Sequence, residues 1–371
     1  MRYNLFLYSI LLIFLAGCSS SEDVINEPAE VKVKNVMFIG GANNYYALDS
    51  GTGQLKWTFS VSSGNFSYST AFYKDNVLYV GCTDNYLYAL DATSGNLLWK
   101  FQTNLAIESS VFVAHDTVFF GSGDDNFYAL NAATGALKWK YTTGFNVSSS
   151  PIVSGDTVYF ASDDGNIYAL DHNSGVLKWK YFAGNLFNSS SPAIVQNSLY
   201  IGNRNGNLYH INKLTGQLIW KKQLGSSMEY SSPTILDGFL YTANKNYLYK
   251  LNALTGDIVW QSYNSGNYSS SPFVNENYVF INSSSGNITA LDKQTGNVKW
   301  QKAILSNSAE PVVTNSTVFT GGGGSHFIYA LSENDGMQLW KHPINSIMTS
   351  APVIINKEGN LVYPSKSGGR D

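Results

Sequence analysis

Charge is scarce in this chain of 371 residues: Asp, Glu, Lys and Arg make up 13%, and the net charge is −3. Arginine is nearly missing, with only Arg204 and Arg370 beyond Arg2. Neutralising phosphates takes a clustered basic excess, so the composition excludes nucleic acid as a partner. Cysteine is limited to Cys18 and Cys82, which excludes a disulfide framework. The one apolar run, Leu5 to Leu15, has 11 residues. That is short of the roughly 20 a spanning helix needs, so a polytopic membrane protein is excluded. No segment keeps a 3.6-residue period over the length of a helix. Disorder is excluded as well. It requires low hydrophobicity with high net charge, and this chain is 44% hydrophobic and 14% aromatic.

What is present begins with an address. Arg2 and the apolar run after it make residues 1–17 a secretory signal. Residues 18–32 are polar and acidic without periodicity, and read as a flexible tether. The junction Leu15-Ala16-Gly17-Cys18 resembles the lipobox of bacterial lipoproteins. The resemblance implies cleavage before Cys18, diacylglycerol on its thiol and an acyl group on its amine. Several chains anchor stably where one anchors marginally. Serine rather than aspartate follows Cys18, which in the lipoprotein sorting scheme implies the outer membrane, on its periplasmic side or at the cell surface.

The remainder, residues 33–371, is a repeat. All eight tryptophans recur about every 40 residues: Trp57, Trp99, Trp139, Trp179, Trp220, Trp260, Trp300 and Trp340. Four residues before each stands a glycine: Gly53, Gly95, Gly135, Gly175, Gly216, Gly256, Gly296 and Gly336. Four before each glycine is Asp, Asn or Ser, from Asp49 to Ser332. A fixed period of this size means a solenoid, a propeller or an array. Strand signals choose between them. One unit reads Ser150-Pro151-Ile152-Val153, Thr157 to Phe160, Ile167 to Leu170 and Leu177 to Tyr181. These four short β-rich runs are separated by turn residues such as Asp164-Gly165. Four antiparallel strands per 40 residues make the blade of a β-propeller.

The segment Ala89 to Trp99 follows the pattern A-x-D-x-x-x-G-x-x-x-W, as do Ala47–Trp57, Ala169–Trp179 and Ala290–Trp300. Ala129–Trp139 carries Asn131, and other units carry His210, Lys250 or Ser332 at a consensus position. This resembles the pyrroloquinoline-quinone-type propeller repeat with its tryptophan-docking motif. The resemblance implies an all-β fold: an eight-bladed propeller of four-stranded antiparallel blades. In that family the tryptophan lies on the outer strand and packs between blades. The strand missing before Val36–Ile39 recurs at the far end as Thr349-Ser350-Ala351-Pro352-Val353-Ile354, so the N- and C-terminal strands are expected to share one blade. Leu361-Val362-Tyr363 resembles another second strand, leaving nine candidates for eight places.

Quinone enzymes of this fold use calcium, a catalytic aspartate and often adjacent cysteines. No cysteine pair exists, and Asp49, Asp91, Asp171 and Asp292 recur with the repeat. The expectation is therefore no catalytic residue, no metal and no cofactor. His115, His172, His210, His326 and His342 lack metal-ligand spacing, and Asp124-Asp125-Asn126 suits a hairpin turn better than a calcium loop. Cys82, at the position of Ser122 and Ser162, reads as a small buried filler. One constellation is not required by the core. The polar segments before each Ser-Ser-Pro carry apolar residues: Phe66, Tyr68, Leu105, Ile107, Phe145, Phe187, Met228, Tyr230, Tyr268, Leu305, Ile347 and Met348. Exposed, they form an interaction face; folded inward, they plug the channel. A monomeric propeller on a lipid tether is similar to the BamB-like lipoproteins of outer-membrane barrel assembly. That resemblance implies a scaffold docking an envelope protein. A glycan-binding propeller is the alternative, because aromatic rings on an Asn/Ser-rich face stack on sugars.

Overall fold

The computed structural model describes residues 33–184, 186–187, 190–228, 230–305, 309–322, 326–344 and 350–363. Cys18, the segments 1–17 and 18–32, Ile347 and Met348 lie outside the described residues.

The described strands form eight antiparallel sheets, seven of four strands and one of five. Blade 4 shows how the sequence builds each one. Its strands are Ile152–Ser154, Thr157–Ala161, Asn166–Asp171 and Leu177–Phe182, from the axis outward. The second and third are buried on both faces, because a neighbouring blade covers each side. That is why they read as unbroken apolar runs. The outer strand alternates exposed and half-buried positions, and Trp179 takes a half-buried one. Tyr159 lies opposite Ala169, and Ala169 opposite Trp179. The small alanine leaves space for the rings of Tyr159 and Trp179, whose centroids are 5.9 Å apart. The same spacing recurs between Phe119 and Trp139 and, with His210 in place of the alanine, between Tyr200 and Trp220.

The tryptophans join blade to blade. Trp57 donates its indole N–H to the Ala92 carbonyl of the next blade at 3.0 Å, and Trp179 to the Lys213 carbonyl at 2.8 Å. Equivalent bonds run from all eight, ending with Trp340 to the Ser50 carbonyl at 3.2 Å, which closes blade 8 on blade 1. The motif glycine is where the ring lands. A Cβ on Gly175 would stand 2.7 Å from the Trp139 ring, and its φ of +72° is left-handed, so only glycine meets both demands. The motif acid folds the same turn: Asp171 Oδ1 accepts the Ser174 N–H at 2.9 Å and the Ser174 hydroxyl at 2.8 Å. Each indole stays half-exposed. Its burial therefore contributes only part of the roughly 4–6 kcal/mol that a fully covered ring would give.

The five-stranded sheet closes the circle. It holds Val36–Gly40, Asn44–Asp49 and Leu55–Ser60 from the N-terminal side, with Val353–Ile355 and Leu361–Val362 from the far end. Val36 pairs with Ile355, and Ile355 with Leu361. Of the nine candidates for eight places, Leu361–Val362 is therefore the extra one. It adds a fifth, innermost strand to blade 1 instead of replacing Val36–Gly40. Tyr363 then reaches blade 2. Its hydroxyl accepts the Tyr73 N–H at 2.9 Å and donates to the Tyr73 carbonyl at 2.7 Å.

Candidate functional site

The linkers between blades gather on one face, and the Ser-Ser-Pro motif fastens them there. The first serine ties down its own blade. Ser149 Oγ accepts the Ala161 N–H at 2.7 Å and donates to the Ala161 carbonyl at 2.8 Å, and Ser109 does the same with Gly121. The second serine ties neighbouring blades. The N–H of Ser110 donates to Ser150 Oγ, Ser150 to Ser191, Ser191 to Ser232 and Ser232 to Ser271, at 2.8–3.1 Å. Thr70 extends this belt to blade 1, accepting the Ala351 N–H at 3.2 Å. In blade 8 the belt position is Glu310, which is buried.

Before these serines the apolar residues divide by position. Phe66, Ile107, Phe187, Met228 and Tyr268 stand four or five residues before the proline or its equivalent, and all are buried. Three of them sit on glycines that end second strands: a Cβ on Gly40 would fall 2.4 Å from Phe66, one on Gly81 would fall 2.3 Å from Ile107, and one on Gly202 would fall 2.9 Å from Met228. Residues three or six before the proline point outward. Tyr68 is 48% exposed, Phe145 52% and Tyr230 50%, with Leu105 and Leu305 exposed as well. The nominated set thus divides into a buried layer and an outward-facing set.

These linkers are held at both ends of their span. Gly123 N–H donates to the Ala106 carbonyl at 2.9 Å, and Asp163 N–H to the Asn146 carbonyl at 2.9 Å. The turn carboxylates add to the hold. Asp124 Oδ2 accepts the Tyr128 hydroxyl at 2.7 Å and the Asn104 N–H at 3.0 Å, and Asp164 accepts the Gly144 N–H at 2.9 Å. Burial opposes ionisation of Asp124. The hydroxyl and amide donors outweigh it and hold the carboxyl below its ordinary value. These acids therefore work as turn and linker clamps, on blades whose outward face carries Asp84, Asp124 and Asp164. Among the described residues no group of three or more His, Cys, Asp or Glu could hold a metal ion. Cys82 is buried, which pushes its thiol up to about 12.

The opposite face, made of the turns between first and second strands and the motif turns between third and fourth, has a feature that the repeat gave no sign of. A cavity of about 820 Å³ opens at the channel mouth, walled by Phe72, Phe112, Val153, Ile194 and Tyr363. Lys74, His115 and Lys213 also line it. Turn residues at these positions differ from blade to blade, so no periodic signal marks them.

Against known proteins, one family model, described as the β-propeller of the beta-alanine-activating enzyme, matches residues 24–277. The chain belongs to that propeller family. A second model, described as outer membrane protein assembly factor BamB, matches residues 230–366. Among solved structures, BamB from Moraxella catarrhalis aligns over 80% of this chain and 96% of its own, with TM-score 0.69 and 19% identity. The computationally designed Ika8 protein aligns over 81% and 97%, with TM-score 0.69 and 16% identity. At these identities the likeness to both structures is one of fold. The chain is a PQQ-like, BamB-type propeller. No curated protein matches it.

Proposed function

We propose that this chain is a non-catalytic scaffold, held at the outer membrane by acyl groups on Cys18, that docks an envelope protein through its linker face. The partner this reading favours is a barrel-assembly component, in line with the BamB-type propeller. The observation that carries it is the exposure of Tyr68, Phe145 and Tyr230 on linkers otherwise fixed by hydrogen bonds. Aromatic side chains presented on a fixed backbone lose little entropy on binding and serve as anchors. The recurring carboxylates support a non-catalytic reading, because Asp49, Asp91, Asp171 and Asp292 each accept backbone N–H groups of their own turn. Affinity capture from detergent-solubilised membranes tests the proposal. Recovery of a barrel-assembly protein, lost with Tyr68→Ala and Phe145→Ala together, is expected. Capture that is unchanged in the double variant would exclude the linker face. A second reading, a glycan-binding face, draws on the Asn and Ser residues beside the same rings. Glycan-array binding that is lost in Tyr230→Ala would favour it.

A further inference from the structure

The cavity on the opposite face has an unbalanced lining. Its walls are the innermost strands of blades 2 to 6, Ile235 being the blade 6 residue, with Leu361 and Tyr363 from the end of blade 1 beside them. Two lysines and a histidine line it, and among the described residues no Asp or Glu does. This occurs in a chain whose net charge is negative.

Lys213 is the telling residue. It lies in the motif turn of blade 5, where its carbonyl is fixed by the Trp179 indole. From there its Nζ extends across to blade 4 and donates to Ser154 Oγ at 2.8 Å. A hydroxyl satisfies one proton of an ammonium but cannot neutralise its charge. Among the described residues Lys213 makes no ion pair, whereas Lys74 meets Asp116 at 3.6 Å and Lys293 meets Asp237 at 3.0 Å. Burial pulls the Lys213 ammonium below the ordinary lysine value, as expected for a cation short of a counter-charge. An anion entering the cavity would supply that charge, with Ser154 and Gln196 as polar lining and Phe72, Phe112, Val153 and Ile194 as an apolar wall beside it. The volume is that of a small-molecule site.

We propose that this cavity binds a single-chain amphiphile with an anionic head, its chain against Phe72, Phe112, Val153 and Ile194 and its head on Lys213. The site is separate from the linker face and stands or falls independently of it. Three eight-carbon probes share one tail and differ in charge: octanoate, octan-1-ol and octylammonium. All are used below micelle-forming concentrations, with the full chain carrying Cys18→Ala so that it bears no acyl group of its own. In ligand-observed NMR titrations octanoate is expected to saturate, with octylammonium at least about tenfold weaker, the worth of one charge-assisted contact. Octyl phosphate in parallel tells a phosphate head from a carboxylate, and saturation by either supports the site. Lys213→Met keeps the apolar stem and should weaken octanoate about tenfold while leaving octan-1-ol unchanged. Val153→Trp fills the space and should remove saturable binding of all probes. Should Val153→Trp fail to fold, Lys213→Met decides alone. Equal binding of octanoate and octylammonium, octanoate binding indifferent to Lys213→Met, binding that persists in a folded Val153→Trp, or no saturation by either anion would each overturn the proposal.

Discussion

Blades 3 and 4 differ from blades 6 to 8 in what fills the ring near its axis. In blades 3 and 4 the fourth residue of the second strand is Phe120 or Phe160. Phe160 stacks on Phe127 of blade 3 with centroids 3.9 Å apart, and on Tyr168 at 5.2 Å. In blades 6 and 8 the same position is Thr242 or Thr320, and blade 7 ends its second strand in Asn282. Asn282 Nδ2 donates to Thr320 Oγ1 at 2.7 Å, but its Oδ1 and the Thr242 hydroxyl are buried with no partner among the described residues. Both arcs carry the same outer tryptophan motif. Blade-to-blade docking is therefore uniform, while stability near the axis is unequal: one arc is dry and aromatic, the other polar and partly unsatisfied.

The largest effect should come from emptying the aromatic arc. Phe160→Ala is expected to cost about 3–5 kcal/mol in chemical denaturation, because it removes a ring packed on both sides. Thr242→Val has the same kind of target in the other arc, and the opposite sign is expected: a gain of about 1 kcal/mol from deleting an unpaired hydroxyl. Equal losses at both sites would break the comparison.

Blade 5 lies between the arcs and carries a titratable test. His210 occupies the motif alanine position, stacked on Tyr200 at 4.4 Å and hydrogen-bonded to Ser198 Oγ at 2.8 Å. Burial lowers its pKa from 6.5 to about 4. The unfolded chain therefore binds the proton more readily than the folded one. His210 contributes its full stability above pH 6.5 and loses it as pH falls toward 4, by about 3 kcal/mol in all. Stability measured from pH 7.5 to 4 should fall, and His210→Ala should flatten part of the slope. His172 and His342, which burial also lowers, add to the slope, and near pH 4 so do carboxyls held below their ordinary value, such as Asp124 and Asp164. An unchanged slope in the variant would show that His210 is not held neutral.

Smaller effects test docking where one turn departs from the rest, Gly256 against Trp220 of blade 5. Gly175→Ala forces a Cβ to 2.7 Å from Trp139, whereas Gly256→Ala meets Trp220 at 3.2 Å. Both turns have positive φ, so both variants lose stability, with Gly175→Ala about 1 kcal/mol worse. The serine belt comes last: Ser150→Ala removes the acceptor of the Ser110 N–H, worth about 1 kcal/mol. A loss near zero would show that water replaces the bond.

The repeating parts of this molecule were legible because periodicity multiplies weak signals. Trp, Gly and Asp at fixed offsets appear eight times, and their geometry follows from docking one blade on the next. The direction of each linker residue was not legible. Phe145 and Val147 are two residues apart, yet one faces solvent and the other covers Gly121, a difference set by register with the strand end. The Ser-Ser-Pro runs are visible in the sequence but the role of the second serine is not, because its partner lies about 40 residues away in the next blade. The fifth strand was ambiguous because Leu361-Val362-Tyr363 has the composition of a second strand, and only its pairing with Val353–Ile355 fixes its place. The cavity was invisible, since the residue types at the positions of Lys74, His115 and Lys213 change along the ring.

The scaffold reading meets its most direct test in site-specific photo-crosslinking within intact envelopes. A photoreactive residue placed at Tyr68 or Phe145 should join the chain to one and the same barrel-assembly protein, and one placed at Leu254, exposed in a motif turn of the opposite face, should not. Adducts from Leu254 alone, or none from either linker position, would contradict a docking surface on the linker face.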